Sequence, residues 1–203
     1  MHPAVLLVVS YLLGGIPFAY VAGRVTRGID LRQHGSGNLG ATNVYRTLGG
    51  KVAVVVLLLD GLKGALPVLL FPHWTSAPRP ELWAIAYGVA AILGHTKSPY
   101  LGWQGGGKGV ATAAGVFFAL AWLPMLAALA VFLLAVLLFG YVSLGSLLAS
   151  VTLPAVIAFT GGLRTPVFAV AVLVAAFVFW THRANIGRLR RGEESRFGRK
   201  AVT

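Results

Sequence analysis

The stretch Gly102–Thr112, GWQGGGKGVAT, forces a choice between two folds. Its first eight residues satisfy the phosphate-binding loop G-x-x-x-x-G-K-[ST] everywhere except at the last position, where Gly109 replaces the hydroxyl residue. Such a loop normally follows a parallel strand in a soluble α/β domain and uses its Ser or Thr to hold Mg²⁺. The strand, the α/β setting and the hydroxyl are all missing here. What remains is three consecutive glycines, Gly105, Gly106 and Gly107, then Lys108 and a helix expected to start at about Val110. Unobstructed backbone N–H groups, a helix N-terminus and a point charge can hold a phosphate without a nucleotide. The bland alternative is a flexible turn with a snorkelling lysine.

Composition identifies the solvent. The 203 residues are 57% hydrophobic and 11% charged, with a mean hydropathy of +0.80, too much apolar surface for one soluble core. The expectation is an all-α integral membrane protein. Cysteine is absent, which excludes disulfides, thiolate nucleophiles and Cys-bound metals. The first residues, MHPAVLLVVSYLLGGIPFAYVAG, lack a positive n-region and a small-residue cleavage site, so they read as a retained span. A net charge of +12 then points to anionic lipid headgroups and phosphorylated substrates, and not to nucleic acid.

Apolar runs predict seven transmembrane helices: Pro3 to Gly23, Val52 to Phe71, Leu82 to Gly94, Val110 to Trp122, Pro124 to Phe139, Leu147 to Thr160 and Pro166 to Thr181. Several fall short of the roughly 20 residues of an ordinary span, a sign that irregular backbone enters the membrane zone beside a polar cavity. Of the 17 basic residues, 14 fall on one set of connections, leaving Arg79 and Arg164 opposite and Lys63 within a span. The positive-inside rule then puts the N-terminus outside and the C-terminus in the cytoplasm. The short helices are joined on the cytoplasmic side by glycine-rich loops: RQHGSGNLGATNVYRTLGG, GHTKSPYLGWQGGGKG and GYVSLGS, which contains Ser143. One domain over 1–189 is expected, followed by a solvated basic tail over 190–203.

The first of these loops gathers Ser36, Asn38, Thr42 and Asn43 among glycines, with Arg46 about one helical turn beyond. Small polar side chains, free amides and an arginine suit a tetrahedral oxyanion. Taken alone the loop fits an ordinary turn and helix cap equally well. Further on, His182 and Asn185 share a helix face. His182 reads as a substrate ligand or a general base, and the ligand role is favoured. Asp60 and Lys63, three residues apart inside a span, read as an ion pair that either fixes a helix or serves the cavity. No metal is expected, because His34, His95 and His182 lie in separate segments with no nearby carboxylate.

In order, SGNLGATNVYR, GH…GGGKGVAT, GYVSLGS and HRANIGRL between seven spans closely resemble the bacterial acyl-phosphate:glycerol-3-phosphate acyltransferases, the PlsY family. The resemblance runs from about Gly14 to about Leu189. It implies transfer of an acyl group from acyl phosphate to the 1-hydroxyl of sn-glycerol 3-phosphate, with no cofactor, metal or coenzyme A. The products would be lysophosphatidic acid and phosphate, made at the bacterial cell membrane in contact with membrane lipids. It implies catalytic substrate contacts at Ser36, Arg46 and Lys108, with His182 and Asn185 completing the glycerol-3-phosphate site. One departure is visible: the family's second motif usually has two glycines before its lysine, and this chain has three. No Ser-His-Asp set is evident, so direct attack by the substrate hydroxyl, its proton passing to a substrate phosphate oxygen, is expected. A small-anion or lipid transporter is the rival expectation, since short helices and glycine-rich half-loops would also serve a conduction path.

Overall fold

The computed structural model describes residues 1–198. Residues 199–203, including Arg199 and Lys200 of the expected basic tail, lie outside the described residues. Among those described there are ten α-helices and no strand, and the chain divides into two compact units, Met1–Leu120 and Ala121–Thr203.

The first unit holds α1 (Pro3–Gly15), α2 (Phe18–Arg27), α3 (Ala41–Leu48), α4 (Gly50–Leu70), α5 (Pro80–Thr96) and α6 (Val110–Leu120). The run Pro3 to Gly23, expected as one helix, breaks at Ile16 and Pro17. Proline brings no N–H to the helical ladder and pushes the preceding residue out of the α region, and Ile16 duly sits at ψ 117°. Between lipid-facing helices there is little hydrophobic drive, so close packing needs small residues. Gly14 lies against the Ala91 backbone and Gly94 against the Tyr11 carbonyl, joining α1 to α5; Gly64 meets the Thr112 backbone and Gly115 the Gly61 carbonyl, joining α4 to α6. Tyr87 is fully buried beside Leu6, Phe71 and Trp83. A second cluster, Ala19, Leu31, Leu39, Val44, Ala53 and Val56, ties the first polar loop to α2, α3 and α4 and so fixes its place.

The second unit holds α7 (Trp122–Phe139), α8 (Val142–Thr160), α9 (Pro166–Thr181) and α10 (Arg183–Arg190). Gly145 lets α8 approach the Phe132 carbonyl of α7. The segment GYVSLGS, expected as a connection, is mostly helix. Only Gly140, in the left-handed region at φ 79°, and Tyr141 make the turn, so Ser143 lies in the first turn of α8. From α9 to α10 the axis bends by 60° at His182. Beyond α10 residues 191–198 are exposed apart from half-buried Glu194, and two contacts tie them down: Phe197 N–H donates to the Gly140 carbonyl at 2.6 Å, and Glu194 is hydrogen-bonded to α8 and α10.

Among the described residues, four stretches are long and apolar enough to cross a bilayer: Pro3–Arg27, Gly50–Trp74, Trp122–Phe139 and Val142–Thr160. The bent α9–α10 pair, taken as one span, brings the number to five. α5 has 17 residues and α6 only 11. Large apolar side chains line the outer faces, with Leu58 60% exposed, Leu137 81% and Phe159 91%, as expected where lipid is the solvent.

Candidate active site

In the first unit the loop before α3 is built around Asn43. Its Oδ1 accepts the Ser36 N–H at 2.9 Å, and its Nδ2 donates to the carbonyls of His34 (3.0 Å) and Leu31 (3.3 Å). The side chain is buried, so these bonds satisfy groups that water does not reach. Ser36 itself is exposed, Thr42 is half-buried in the first turn of α3, and Arg46 is exposed one turn after Asn43. Upstream, Asp30 accepts the Arg32 N–H and both Nε and Nη2 of its guanidinium. Those hydrogen bonds hold the Asp30 carboxyl down at about 2, against the opposing effect of burial.

The first loop meets the glycine loop directly: Asn38 Nδ2 donates to the Gly106 carbonyl at 3.3 Å. Gly105 is in the left-handed region at φ 73° and lies against the Arg32 side chain. Gly106 packs on the His95 and Thr96 carbonyls so closely that no Cβ would fit, and Gly107 donates to the His95 carbonyl at 3.3 Å. Lys108 follows, half-buried, and α6 begins two residues later. Ser36, Asn38, Thr42, Asn43, Arg46, the glycines and Lys108 therefore all lie on two loops that touch within one unit, or on the short helix α3 that follows the first of them.

Beneath the glycine loop, Asp60 and Lys63 of α4 are both buried, with Nζ 2.7 Å from Asp60 Oδ1. The ammonium also donates at 2.8 Å to the Ile16 carbonyl, at the break before α2, which accepts the Phe18 N–H as well. His95 Nδ1 lies 3.5 Å from Asp60 Oδ1. Asp60, Lys63, His95, Ser98, Gly106 and Gly107 line a pocket of ≈ 200 Å³, counting its open mouth.

In the second unit the polar residues converge on Glu194. Ser143 Oγ (2.8 Å) and Asn185 Nδ2 (2.6 Å) donate to its Oε1, and Arg188 Nε donates to its Oε2 at 2.6 Å. Burial alone would raise this carboxyl, but the bonds from Asn185, Ser143 and Arg188 together outweigh it and hold its pKa below the usual glutamate range. His182 is buried, and its Nδ1 lies 2.8 Å from the Val178 carbonyl. A carbonyl only accepts, so Nδ1 carries a proton, and donation from Nε2 as well requires the doubly protonated ring. Among the described residues no three His, Cys, Asp or Glu side chains are grouped to hold a metal ion.

Two participants were not singled out from the sequence. His95 ends an apolar helix immediately before the glycine loop, and that adjacency was its only signal. Glu194 sits in an arginine-rich tail, where a charge is normally solvated. Its signal was scarcity: the chain has only five carboxylate side chains, and each then merits a search for its partner.

Apolar helices surrounding loops of glycine, amide and cation mark an integral, multi-pass membrane protein with a polar site. Residues 4–192 match the profile of a family described as glycerol-3-phosphate acyltransferase. The chain is 45% identical to the glycerol-3-phosphate acyltransferase of Geotalea daltonii, over 96% of this chain and 97% of that one. Against that of Trichlorobacter lovleyi it is 49% identical, over 93% and 94%. It is also similar to crystal structures of PlsY, an integral membrane glycerol 3-phosphate acyltransferase. The glycerol 3-phosphate form gives a TM-score of 0.88 at 40% identity, over 97% of this chain and 96% of that one. The lysophosphatidic acid form gives 0.85 at 39%, over 97% and 95%. The chain belongs to the glycerol-3-phosphate acyltransferase family.

Proposed function

We propose that this chain transfers a fatty acyl group from acyl phosphate to the 1-hydroxyl of sn-glycerol 3-phosphate. The observation that carries the reading is the likeness, over 97% of the chain, to PlsY in its glycerol 3-phosphate form. In the reaction the hydroxyl oxygen attacks the acyl carbonyl carbon, the bond from that carbon to the phosphate oxygen breaks, and inorganic phosphate leaves with the electron pair. The hydroxyl proton passes to a substrate phosphate oxygen. An acyl phosphate already has a good leaving group, so positioning and charge neutralisation supply much of the rate. Lys108 and the amides of Gly105 and Gly106 take phosphate oxygens, with Gly107 holding the loop to the His95 carbonyl; Arg46 adds a fork of donors, and Ser36 lies against the reacting groups. Asn38 and Thr42 border the substrate, and Asn43 sets the loop that presents Ser36. Ser143, His182 and Asn185 are read as substrate ligands of the second unit. The acyl chain is reached sideways from membrane lipid.

The test is donor selection by purified protein in detergent. Phosphate release with acyl phosphate that depends on glycerol 3-phosphate, and no acylation from acyl-CoA, is the expected result. Acylation from acyl-CoA alone would overturn the donor assignment.

The same reading takes the chain as one acyltransferase domain, 1–189, crossing the membrane seven times with the N-terminus outside and the C-terminus cytoplasmic. α6 is about 16 Å long at ~1.5 Å per residue, half of a ~30 Å hydrocarbon core, so the glycine loop before it enters the membrane zone. The concentration of 14 of 17 basic residues on one side supports the orientation. A Gly40→Cys variant, with no background thiol, should react with an impermeant reagent only from the cytoplasmic face; labelling from outside intact cells would reverse the topology.

A further inference from the structure

Three consecutive glycines cannot hold their own shape. Each lacks the side chain that would restrict its backbone, so a loop of this kind is ordered only by what surrounds it. Around Gly106 and Gly107 that surrounding is the end of α5. The His95 carbonyl takes the Gly107 N–H, and the imidazole packs so close that a methyl added at Gly107 would overlap Nε2. The other ring nitrogen faces Asp60 at 3.5 Å, and Asp60 in turn is fixed by Lys63 at 2.7 Å. Lys63 is anchored to the Ile16 carbonyl at the α1–α2 break and has its ammonium 5.3 Å from the Phe18 ring centroid.

Ionisable groups within an apolar helix are costly, and a pair meant only to neutralise itself needs no third member. Here the third member, His95, reaches from the buried pair to the residue next to Lys108. We propose that Asp60 and His95 are positioning residues that hold the glycine loop, and through it Lys108, in phosphate-binding geometry. Lys63 is the brace that keeps Asp60 in place. The inference rests on the reading of the glycine loop as a phosphate cradle.

The test is a double-mutant cycle between position 95 and position 108. His95→Phe keeps a ring against Gly107 but removes the Asp60 contact, and His95→Asn restores a donor near the Nδ1 position. His95→Phe should keep the thermal stability of the parent yet lose about tenfold in kcat/KM, chiefly through KM for glycerol 3-phosphate, with partial recovery in His95→Asn. Combined with Lys108→Ala it should lower kcat/KM little beyond Lys108→Ala alone, because residues acting through one contact are not additive. Full additivity, or normal kinetics in His95→Phe beside an impaired Lys108→Ala, overturns the positioning role and leaves the cradle standing. Normal kinetics in Lys108→Ala itself would sink the cradle and this inference together. Should His95→Phe prove unstable, hydrogen exchange of the amides at 104–109 in Asp60→Asn carries the test. Faster exchange there than in the parent is expected, and unchanged protection overturns the proposal.

Discussion

Two buried asparagines invite comparison. Asn43 and Asn185 are each the polar centre of a segment joined to a short helix, and each reads from the sequence as a substrate ligand. Asn43 is the hub of three backbone groups, those of Ser36, His34 and Leu31, and makes the loop what it is. Asn185 donates to a carboxylate that also holds Ser143 and Arg188. The first amide shapes a neutral loop; the second is one arm of a charged clamp closing a tail onto two helices. A residue type announces that a position is polar. The chain around it decides whether that polarity faces backbone, a carboxylate or a substrate.

Asn43→Asp attacks the first hub most directly, because it keeps the acceptor for Ser36 and sets a carboxylate against two carbonyls. Two lost donors facing buried acceptors should lower kcat/KM by about a hundredfold, roughly 2.7 kcal/mol, with a fall in thermal stability. A variant with parental kinetics and melting would remove Asn43 from the centre of the loop. Arg46→Ala, at the exposed position of the helix that the hub supports, should lose more than about tenfold in kcat/KM, and Arg46→Lys should recover little because an ammonium cannot reproduce a forked contact. Equal recovery by lysine would show that only charge matters there.

Glu194→Gln probes the second hub. The folded carboxyl titrates below its ordinary range, so its contribution is present above the unfolded pKa and is lost as pH falls through the folded one. At neutral pH the variant should therefore melt about 2 to 4 °C below the parent, with the gap closing on acidification. A gap that widens at low pH would reverse the sign of the argument. The smallest effect is expected for His182→Gln. A neutral amide still donates to a phosphate oxygen, so KM for glycerol 3-phosphate should rise by about three- to tenfold while turnover persists. Loss of kcat at unchanged KM would instead make His182 the base.

What could be read from the sequence was what depends on local spacing. The ion pair of Asp60 and Lys63 is three residues apart on one helix, and both its existence and its burial follow from that spacing and the apolar run around it. The apolar segments themselves were legible to within a few residues, because hydropathy is a local property. The break at Pro17 leaves no mark in hydropathy because the apolar run continues across it, and GYVSLGS reads as a loop because glycine and serine at a helix start resemble a turn. The Glu194 clamp joins residues up to 51 apart, and His95 reaches Asp60 across two helices; no periodicity reports such pairs. Asn38 and Gly106, 68 residues apart, bring the two loops together by the same kind of contact.

Equilibrium binding of glycerol 3-phosphate to the purified protein, measured calorimetrically for the parent and for Lys108→Ala, tests the central claim most directly. The claim is that the glycine loop and its lysine hold the phosphate of the substrate. Lys108→Ala should weaken binding by about tenfold or more, the loss of one charge-assisted hydrogen bond worth roughly 1.5 to 3 kcal/mol, with thermal stability unchanged. Equal affinity in the two proteins would contradict it.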